Sequence, residues 1–458
     1  MRKVLLATVA SMGALFAAAG TASAQPVKPV APATIVVHFN GFFQAGLDNV
    51  GSTYNNVAGS KLSPVTTNGD LRLYPGFDAM TADGLGYGVQ VELRDAFFSG
   101  GKGVATSSTA SGNGSLYVRR AYGYIGTPNY GYVRIGQTDG AFGLLQTGVI
   151  EQFGDGVQFA NTDSAPLYTV PTKAVPGEFI YADQGALYTT DKVVLISPAI
   201  DEPYLGGKLS AIFSYEPNSN GLKEGYGSYC ATAATAGCGA IASTTTYGNF
   251  NAAARRNTFD FMGQYTVKLG SFTNKIAAGM LDGQPLRYAG TAAGAGSASA
   301  YAATRLDQLQ VFQFGAQTTY KGLFTDSDAV TLGANIKWGQ TLDGYAAKPV
   351  GARDAFAYII GGNYVIGPYV LGASFWDSQS AGNYNPAKAG TEARTLSEYG
   401  VSVGGNYVIN KNLSLYAQWM YAHEHQPGNT NLPKPSTNTG SDNNAQMQLV
   451  SAGATLKW

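Results

Sequence analysis

The sequence predicts an all-β fold, a transmembrane antiparallel β-barrel of about 16 strands with short periplasmic turns and long extracellular loops. Three observations predict it. The chain has few charges and many glycines and aromatic residues, apolar residues recur at every second position, and short and long links alternate between the predicted strands.

The composition favours strands and excludes several classes of protein. The 458 residues include 60 Gly, 29 Tyr and 21 Phe, and only 13% are charged. Glycine and aromatic residues suit turns and strands better than helices. The 29 basic and 29 acidic side chains balance, whereas nucleic-acid binders concentrate Lys and Arg. A chain that is 45% hydrophobic is too apolar to stay unfolded, and we therefore expect an ordered protein with no nucleic-acid partner.

The first residues predict export. A basic start, an apolar run from Val4 to Ala19 and a small-residue ending at Ala22-Ser23-Ala24 fit a cleavable signal peptide over 1–24. A membrane anchor is the alternative, but the run is short for a span of about 20 residues. Residues 25–33 are rich in proline, which suits an extended periplasmic lead-in before a barrel over 34–458. No later run is long and apolar enough for a membrane helix.

Alternation along the chain defines the strands. Val330 to Trp338 and Leu413 to Tyr421 each place apolar side chains at every second position, with mostly polar residues or glycine between them. A soluble sandwich gives the same alternation. Strands of roughly 9 to 13 residues fit a tilted bilayer crossing better. The predicted strands begin near Thr34, Asp70, Leu85, Ser115, Gly131, Asp191, Gly207, Arg256, Phe272, Arg305, Ala329, Asp354, Pro368, Thr395, Lys411 and Gln446.

The links between these strands alternate in length. Short ones, such as 126–129 and 366–368, carry turn residues, whereas long ones, such as 139–190 and 216–255, do not resemble tight turns. Outer-membrane barrels have short periplasmic and long extracellular links. Aromatic residues beside the short turns predict an interfacial girdle. Its members are Tyr122, Tyr124, Tyr130, Tyr204, Phe272, Tyr320, Phe324, Tyr364, Tyr369 and Tyr407.

Two cysteines, Cys230 and Cys238, lie close together in a long loop. Export to an oxidising compartment predicts a disulfide between them, with free thiols as the alternative. A metal site needs more ligands than these two thiols supply.

The end of the chain carries a more specific pattern. From Val450 to Trp458 every second residue is apolar, and the chain finishes on an aromatic residue. This strand resembles the closing strand of Gram-negative outer-membrane barrels, which implies recognition of Trp458 by the barrel-assembly machinery.

A second resemblance lies upstream. The segments 116–126 and 131–137 resemble the fourth and fifth strands of general diffusion porins, although Tyr124 and Gln137 replace residues common in that family. The resemblance implies a homotrimer in the outer membrane of a Gram-negative bacterium. It also implies that the third long loop folds into the lumen, where Glu151 and Asp155 face a wall of arginines.

Strand alternation selects the arginines of that wall. If the apolar residues of these strands face lipid, then Arg72, Arg94 and Arg134 point inward together with Glu92. The lipid-facing residues are Leu71, Leu73, Val91, Leu93, Val133 and Ile135. Arg119 shares a face with Ala121 and Gly123, so we expect it to point inward. We expect Arg120 to lie on the face of Tyr122, near the outer rim or a subunit contact. A solvated charge at the rim is the alternative for each arginine.

Patterns typical of enzymes are weak. His423 and His425 could form a metal pair, but no third ligand is near in sequence, and His38 lies in the first strand at the opposite end of the barrel. We therefore expect no catalytic or metal site and no cofactor. The expected function is a water-filled channel for passive diffusion of small hydrophilic solutes and ions. A substrate-selective channel, for example for carbohydrates, an outer-membrane barrel enzyme and an adhesive barrel are the alternatives.

Overall fold

The chain forms one closed antiparallel sheet. The computed structural model describes residues 31–56, 61, 63–95, 116–156, 190–204, 206–218, 255–285, 307–341, 345, 348, 351–381, 395–425 and 444–458. The strands in these ranges are Thr34–Ser52 (β1), Thr66–Met80 (β2), Gly86–Asp95 (β3), Tyr117–Thr127 (β4), Gly131–Gln137 (β5), Asp191–Ile196 (β6), Ile200–Asp201 (β7), Lys208–Asn218 (β8), Arg255–Leu269 (β9), Phe272–Pro285 (β10), Leu309–Lys321 (β11), Ala329–Gln340 (β12), Ala355–Ile366 (β13), Tyr369–Ala381 (β14), Thr395–Asn410 (β15), Leu413–His425 (β16) and Asn444–Lys457 (β17).

Each strand pairs with its neighbours in sequence, and β17 pairs with β1 to close the ring. Both β6 and β7 pair with β8, so they share one position, and the 17 strands make a barrel of 16 positions. Reciprocal backbone hydrogen bonds between Gly41 and Trp458 extend the closure to the last residue. The prediction of a closed barrel of about 16 strands is confirmed.

The two faces of the wall follow the predicted alternation. On β12, Leu332 is 56% exposed on the outer face, whereas Asn335, three residues farther along the strand, is fully buried on the inner face. The outer face is apolar along its middle, as a lipid contact requires, and the inner face is largely polar. Among the described residues, no helix is long and apolar enough to cross a membrane.

Short turns lie at one end of the barrel and long links at the other. In the turn between β11 and β12, Asp328 accepts hydrogen bonds from the amides of Leu323 (2.7 Å) and Phe324 (2.9 Å) and from the hydroxyl of Tyr364 (2.7 Å). Burial of this carboxyl opposes ionisation, but the hydrogen bonds prevail and lower the pKa of Asp328 below its ordinary value.

The aromatic girdle is confirmed only in part. Phe272 and Tyr320 form an outward-facing pair, with ring centroids 4.7 Å apart, and so do Tyr369 and Tyr407, at 5.3 Å. The prediction is wrong for Tyr122 and Tyr124. Both lie on the inner face, because they are in register with inward-facing residues of β5, and the hydroxyl of Tyr124 donates to Asp78.

Candidate functional site

Four arginines of adjacent strands meet inside the barrel. We call Arg72, Arg94, Arg119 and Arg120 the arginine cluster; all four are buried. Glu92 lies at its centre. Its carboxylate accepts hydrogen bonds from Arg94 Nε, from Arg120 Nη1 at 2.6 Å and from Arg119 Nη1 at 3.4 Å.

Two further carboxylates border the cluster. Arg72 Nε donates to Asp70 Oδ2 at 2.5 Å, and Arg120 Nε donates to Asp139 Oδ1 at 2.9 Å. Four guanidinium groups against the carboxylates of Asp70, Glu92 and Asp139 leave one net positive charge (4 − 3 = 1). The charges are shielded from bulk water, so their field is stronger than that of an exposed surface patch.

The prediction for Arg120 is wrong, because the register of β3 and β4 shifts. Glu92 pairs with Arg120, but the next residue, Leu93, pairs with Val118, so Arg119 is an extra residue in a β-bulge. A bulge places two consecutive side chains on one face. Arg120 therefore points inward by regular alternation, and Arg119 points inward only because of the bulge.

Arg134 differs from the cluster. Its guanidinium carbon lies 5.1 Å from the ring centroid of Tyr122, and its side chain is partly exposed to the lumen. Among the described residues Arg134 forms no ion pair. A similar contact joins Arg72 and Phe42, whose ring centroid is 5.0 Å from the guanidinium carbon and 5.9 Å from Lys457 Nζ.

Residues 138–156, which follow β5, lie against the inner wall, and we call them the inner segment. The segment begins beside Arg120, which binds Asp139, and includes a single helical turn, Ala141–Leu144 (α1). The amide of Phe142 donates to Asp260 Oδ2 of β9 at 3.0 Å. The residues that follow the inner segment, 157–189, lie outside the described residues.

Apolar packing holds the start of the inner segment. Phe142 is fully buried and contacts a cluster that includes Met262 and Val311 on the inner face of the wall. From the link after β12, Tyr345 packs edge-on against Phe142, with centroids 6.4 Å apart, and accepts a hydrogen bond from Lys337 Nζ at 2.7 Å. Burying one such aromatic side chain contributes about 1.5–3 kcal/mol, which favours a fixed position for this helical turn.

Hydrogen bonds and close contacts hold the rest of the segment. Gln264 and Asn335 both donate to Thr147, to its side-chain and carbonyl oxygens respectively, each at 2.8 Å. Farther on, Asn406 Nδ2 donates to the carbonyl of Gly154 at 2.6 Å, and Gln418 Oε1 accepts from the amide of Asp155 at 2.9 Å. The inner segment therefore spans the wall from β9 to β16.

Four glycines of the wall lie directly under this segment, and we call them the glycine track. The inner segment passes so close to Gly315, Gly333, Gly361 and Gly372 that an added Cβ at any of them would fall within 3.3 Å of it. At Gly372 the contact would be with the ring of Phe153, at 2.2 Å. Absence of side chains at these positions lets the backbone lie directly on the wall.

The predicted acidic residues lie in the inner segment, beside other strands than those that carry the arginines. Glu151 follows Ile150, which packs against Gly333 of β12 and Gly361 of β13, and β12 lies across the ring from β3. Asp155 lies farther round, at β16. Both carboxylate-bearing residues are buried. The structure thus groups Arg72, Arg94 and Arg119, and places Arg134 next to that group and Glu151 across the lumen from it.

Other candidate residues do not gather into a site. Cys230 and Cys238 lie outside the described residues. His423 and His425 project from the outer face of β16, where His423 stacks on Tyr399 at 4.9 Å and His425 Nδ1 bonds with Asn444 Oδ1 at 2.7 Å. His38 lies near the other end, on the inner face, 3.4 Å from Asp78. In the described ranges, no group of three or more His, Cys, Asp or Glu residues could hold a metal ion.

A protein-family model matches most of this chain. The model described as Gram-negative porin matches residues 7–427. The chain belongs to the Gram-negative porin family. It is therefore an outer-membrane porin channel, and its family and fold are those of a channel rather than an enzyme.

Two solved structures of outer-membrane proteins are similar to this chain. The chain is similar to a triple mutant of Rhodopseudomonas blastica porin, at 15% identity and a TM-score of 0.46, over 92% of this chain and 100% of that one. It is also similar to a loop-deletion mutant of OmpT, an outer membrane protein of Vibrio cholerae, at 12% identity and a TM-score of 0.47, over 93% and 99% of the two chains. No curated protein sequence matches this porin.

Proposed function

We propose that this porin is a passive, water-filled channel for small hydrophilic solutes and ions. Its constriction lies between the inner segment, with Glu151 and Asp155, and the inward arginines Arg72, Arg94, Arg119 and Arg134. The observation that carries this proposal is the course of the inner segment along the inner wall from β9 to β16, which brings Glu151 beside β12 and β13, across the ring from the arginine-bearing β3.

Charge separation across a narrow water path creates a transverse field. Such a field orients polar solutes and disfavours apolar ones, and the sign of the excess charge sets the ion preference. The arginine cluster, Glu151 and Asp155 are buried, and salt therefore screens their field only weakly.

The second candidate is a substrate-selective channel. The contacts of Arg72 with Phe42 and of Arg134 with Tyr122 favour it, since cations and aromatic rings alternate on one side of the lumen. The two candidates differ in whether one class of solute slows the passage of simple ions.

For the mature protein we propose removal of residues 1–24, a periplasmic lead-in over 25–33 and a barrel over 34–458. The family supports a homotrimer, and the apolar outer face supplies surface for both lipid and subunit contacts. We propose that the barrel-assembly machinery recognises the last strand, where Trp458 is half exposed on the outer face beside β1.

Single-channel recording in a planar bilayer tests the channel. Folded protein should give stepwise ion conductance, and the reversal potential in a salt gradient should report the ion preference. A variant that replaces Arg119 and Arg134 with Gln should shift this potential toward cations, because two positive charges are removed from the narrowest path. Folded wild-type protein that gives no conductance would refute the proposed function, and it would leave the enzyme and adhesive alternatives open.

A further inference from the structure

The inner wall carries a feature that a general channel does not require. Along β1, β2, β4 and β5, inward-facing rings alternate with cations, as in the contacts of Arg72 with Phe42 and of Arg134 with Tyr122. Rings are costly on a wall that faces water, so their position beside cations calls for a physical reason.

Arg134 stands out among these cations. The members of the arginine cluster lie among carboxylates, whereas Arg134 is held by the ring of Tyr122 and has no carboxylate partner among the described residues. A guanidinium group that stacks on a ring keeps its in-plane N–H groups free to bind a carboxylate in a bidentate manner. Its opposite face remains available to a second flat group.

A second ring lies on the same face of β5 as Arg134. Tyr132 is two residues away on the same face of β5, at a strand rise of about 6.6 Å, and is partly exposed. Its ring meets that of Tyr124 edge-on, with centroids 6.2 Å apart. The rise of about 6.6 Å between Arg134 and Tyr132 along β5 is comparable with the distance from the carboxylate of an aromatic acid to the far side of its ring.

We propose that Arg134, Tyr122 and Tyr132 form a lumenal subsite for aromatic carboxylates. Arg134 binds the carboxylate through its N–H edge, Tyr122 holds the guanidinium in place, and the ring of the solute extends along the wall toward Tyr132. The inference rests on the proposed channel function and names a substrate class for it. A flat anion is favoured over a puckered one of equal charge, because its carboxylate is held at the N–H edge of Arg134 and only a flat ring can stack on a tyrosine ring.

Benzoate and cyclohexanecarboxylate are suitable probes, because they share charge and approximate size but differ in flatness. Each is added to a single channel that carries chloride current, and the concentration that halves the current is measured. We expect benzoate to act at a concentration about two- to tenfold lower, the factor given by one contact between aromatic rings. Arg134→Lys keeps the charge but loses the flat fork, and it should bring the two concentrations together.

One control variant separates the possible outcomes. Arg353→Lys changes an arginine that bonds with Gln379 outside the lumen, and it should leave the ratio of half-blocking concentrations at the wild-type value. Equal half-blocking concentrations in the wild type, or an unchanged ratio in Arg134→Lys, would overturn the subsite and leave the channel intact. Absence of chloride current from folded protein would overturn both.

Discussion

Replacement of Gly315 with alanine should narrow the channel. The structure supplies the magnitude, since a Cβ at Gly315 would lie 2.0 Å from the carbonyl oxygen of Thr147. Ordinary contact needs about 3.5 Å, so the two groups must separate by about 1.5 Å, roughly half the width of a water molecule. The β11 wall is held on both sides by paired strands, and the inner segment therefore moves toward the lumen axis.

The same substitution weakens the anchoring of the segment. Asn335 Nδ2 donates to the Thr147 carbonyl at 2.8 Å, and it would also lie 2.7 Å from the new methyl group. Overpacking of this kind costs typically about 1–3 kcal/mol. We expect a barrel that still folds, with a lower single-channel conductance in symmetrical salt and more open-channel noise.

The control for Gly315→Ala is Gly263→Ala. Gly263 lies on the outer face of β9, and its nearest neighbours would be 4.0 Å from a new Cβ. Gly372→Ala gives an intermediate case, because the ring of Phe153 can rotate away. Circular dichroism and resistance to denaturation by detergent establish folding. Wild-type conductance and noise in folded Gly315→Ala would refute the argument that the glycine track fixes the position of the inner segment.

Three further predictions concern charge, redox state and pH. Replacement of Glu151 with Gln and Asp155 with Asn should shift the reversal potential toward anions, and an unchanged potential would remove both residues from the constriction. Alkylation of the unreduced mature protein should leave Cys230 and Cys238 unmodified, whereas two labelled thiols would exclude the disulfide. Asp328→Asn should lower the midpoint of thermal unfolding at neutral pH. The folded state lowers the pKa of Asp328, so its ionised carboxylate stabilises the protein at pH values above the ordinary pKa of 3.8. This contribution is lost as the pH falls through the pKa of the folded state. The difference from wild type should shrink in acid, and a constant difference would contradict the assigned role of the carboxylate.

The sequence by itself determined the architecture. Alternation along a strand and the residues of a tight turn are local properties, so each strand could be recognised from a few consecutive residues. Val330 to Trp338 illustrates this, because its outward and inward residues follow from the count by twos. The alternating lengths of the links then distinguished a membrane barrel from a soluble sandwich.

The tertiary structure alone decided the inner surface. The bulge at Arg119 depends on how β4 pairs with β3, and counting along one strand cannot reveal a shift of register between two. Adjacent arginines facing a single Glu92 were the available signal, but the alternation rule assigned them to opposite faces. Tyr122 entered the predicted girdle because it lies near a short turn, and that position does not fix the face on which its side chain lies.

The position of the inner segment also required the closed barrel. Asp155 bonds with Gln418, and Thr147 bonds with Asn335, residues that are far apart in the chain and meet only when the ring closes. The glycines under the segment look like ordinary strand glycines in sequence. Their role follows from a close approach between distant segments, because contacts across the lumen depend on the three-dimensional course of the chain and leave no periodic pattern in it.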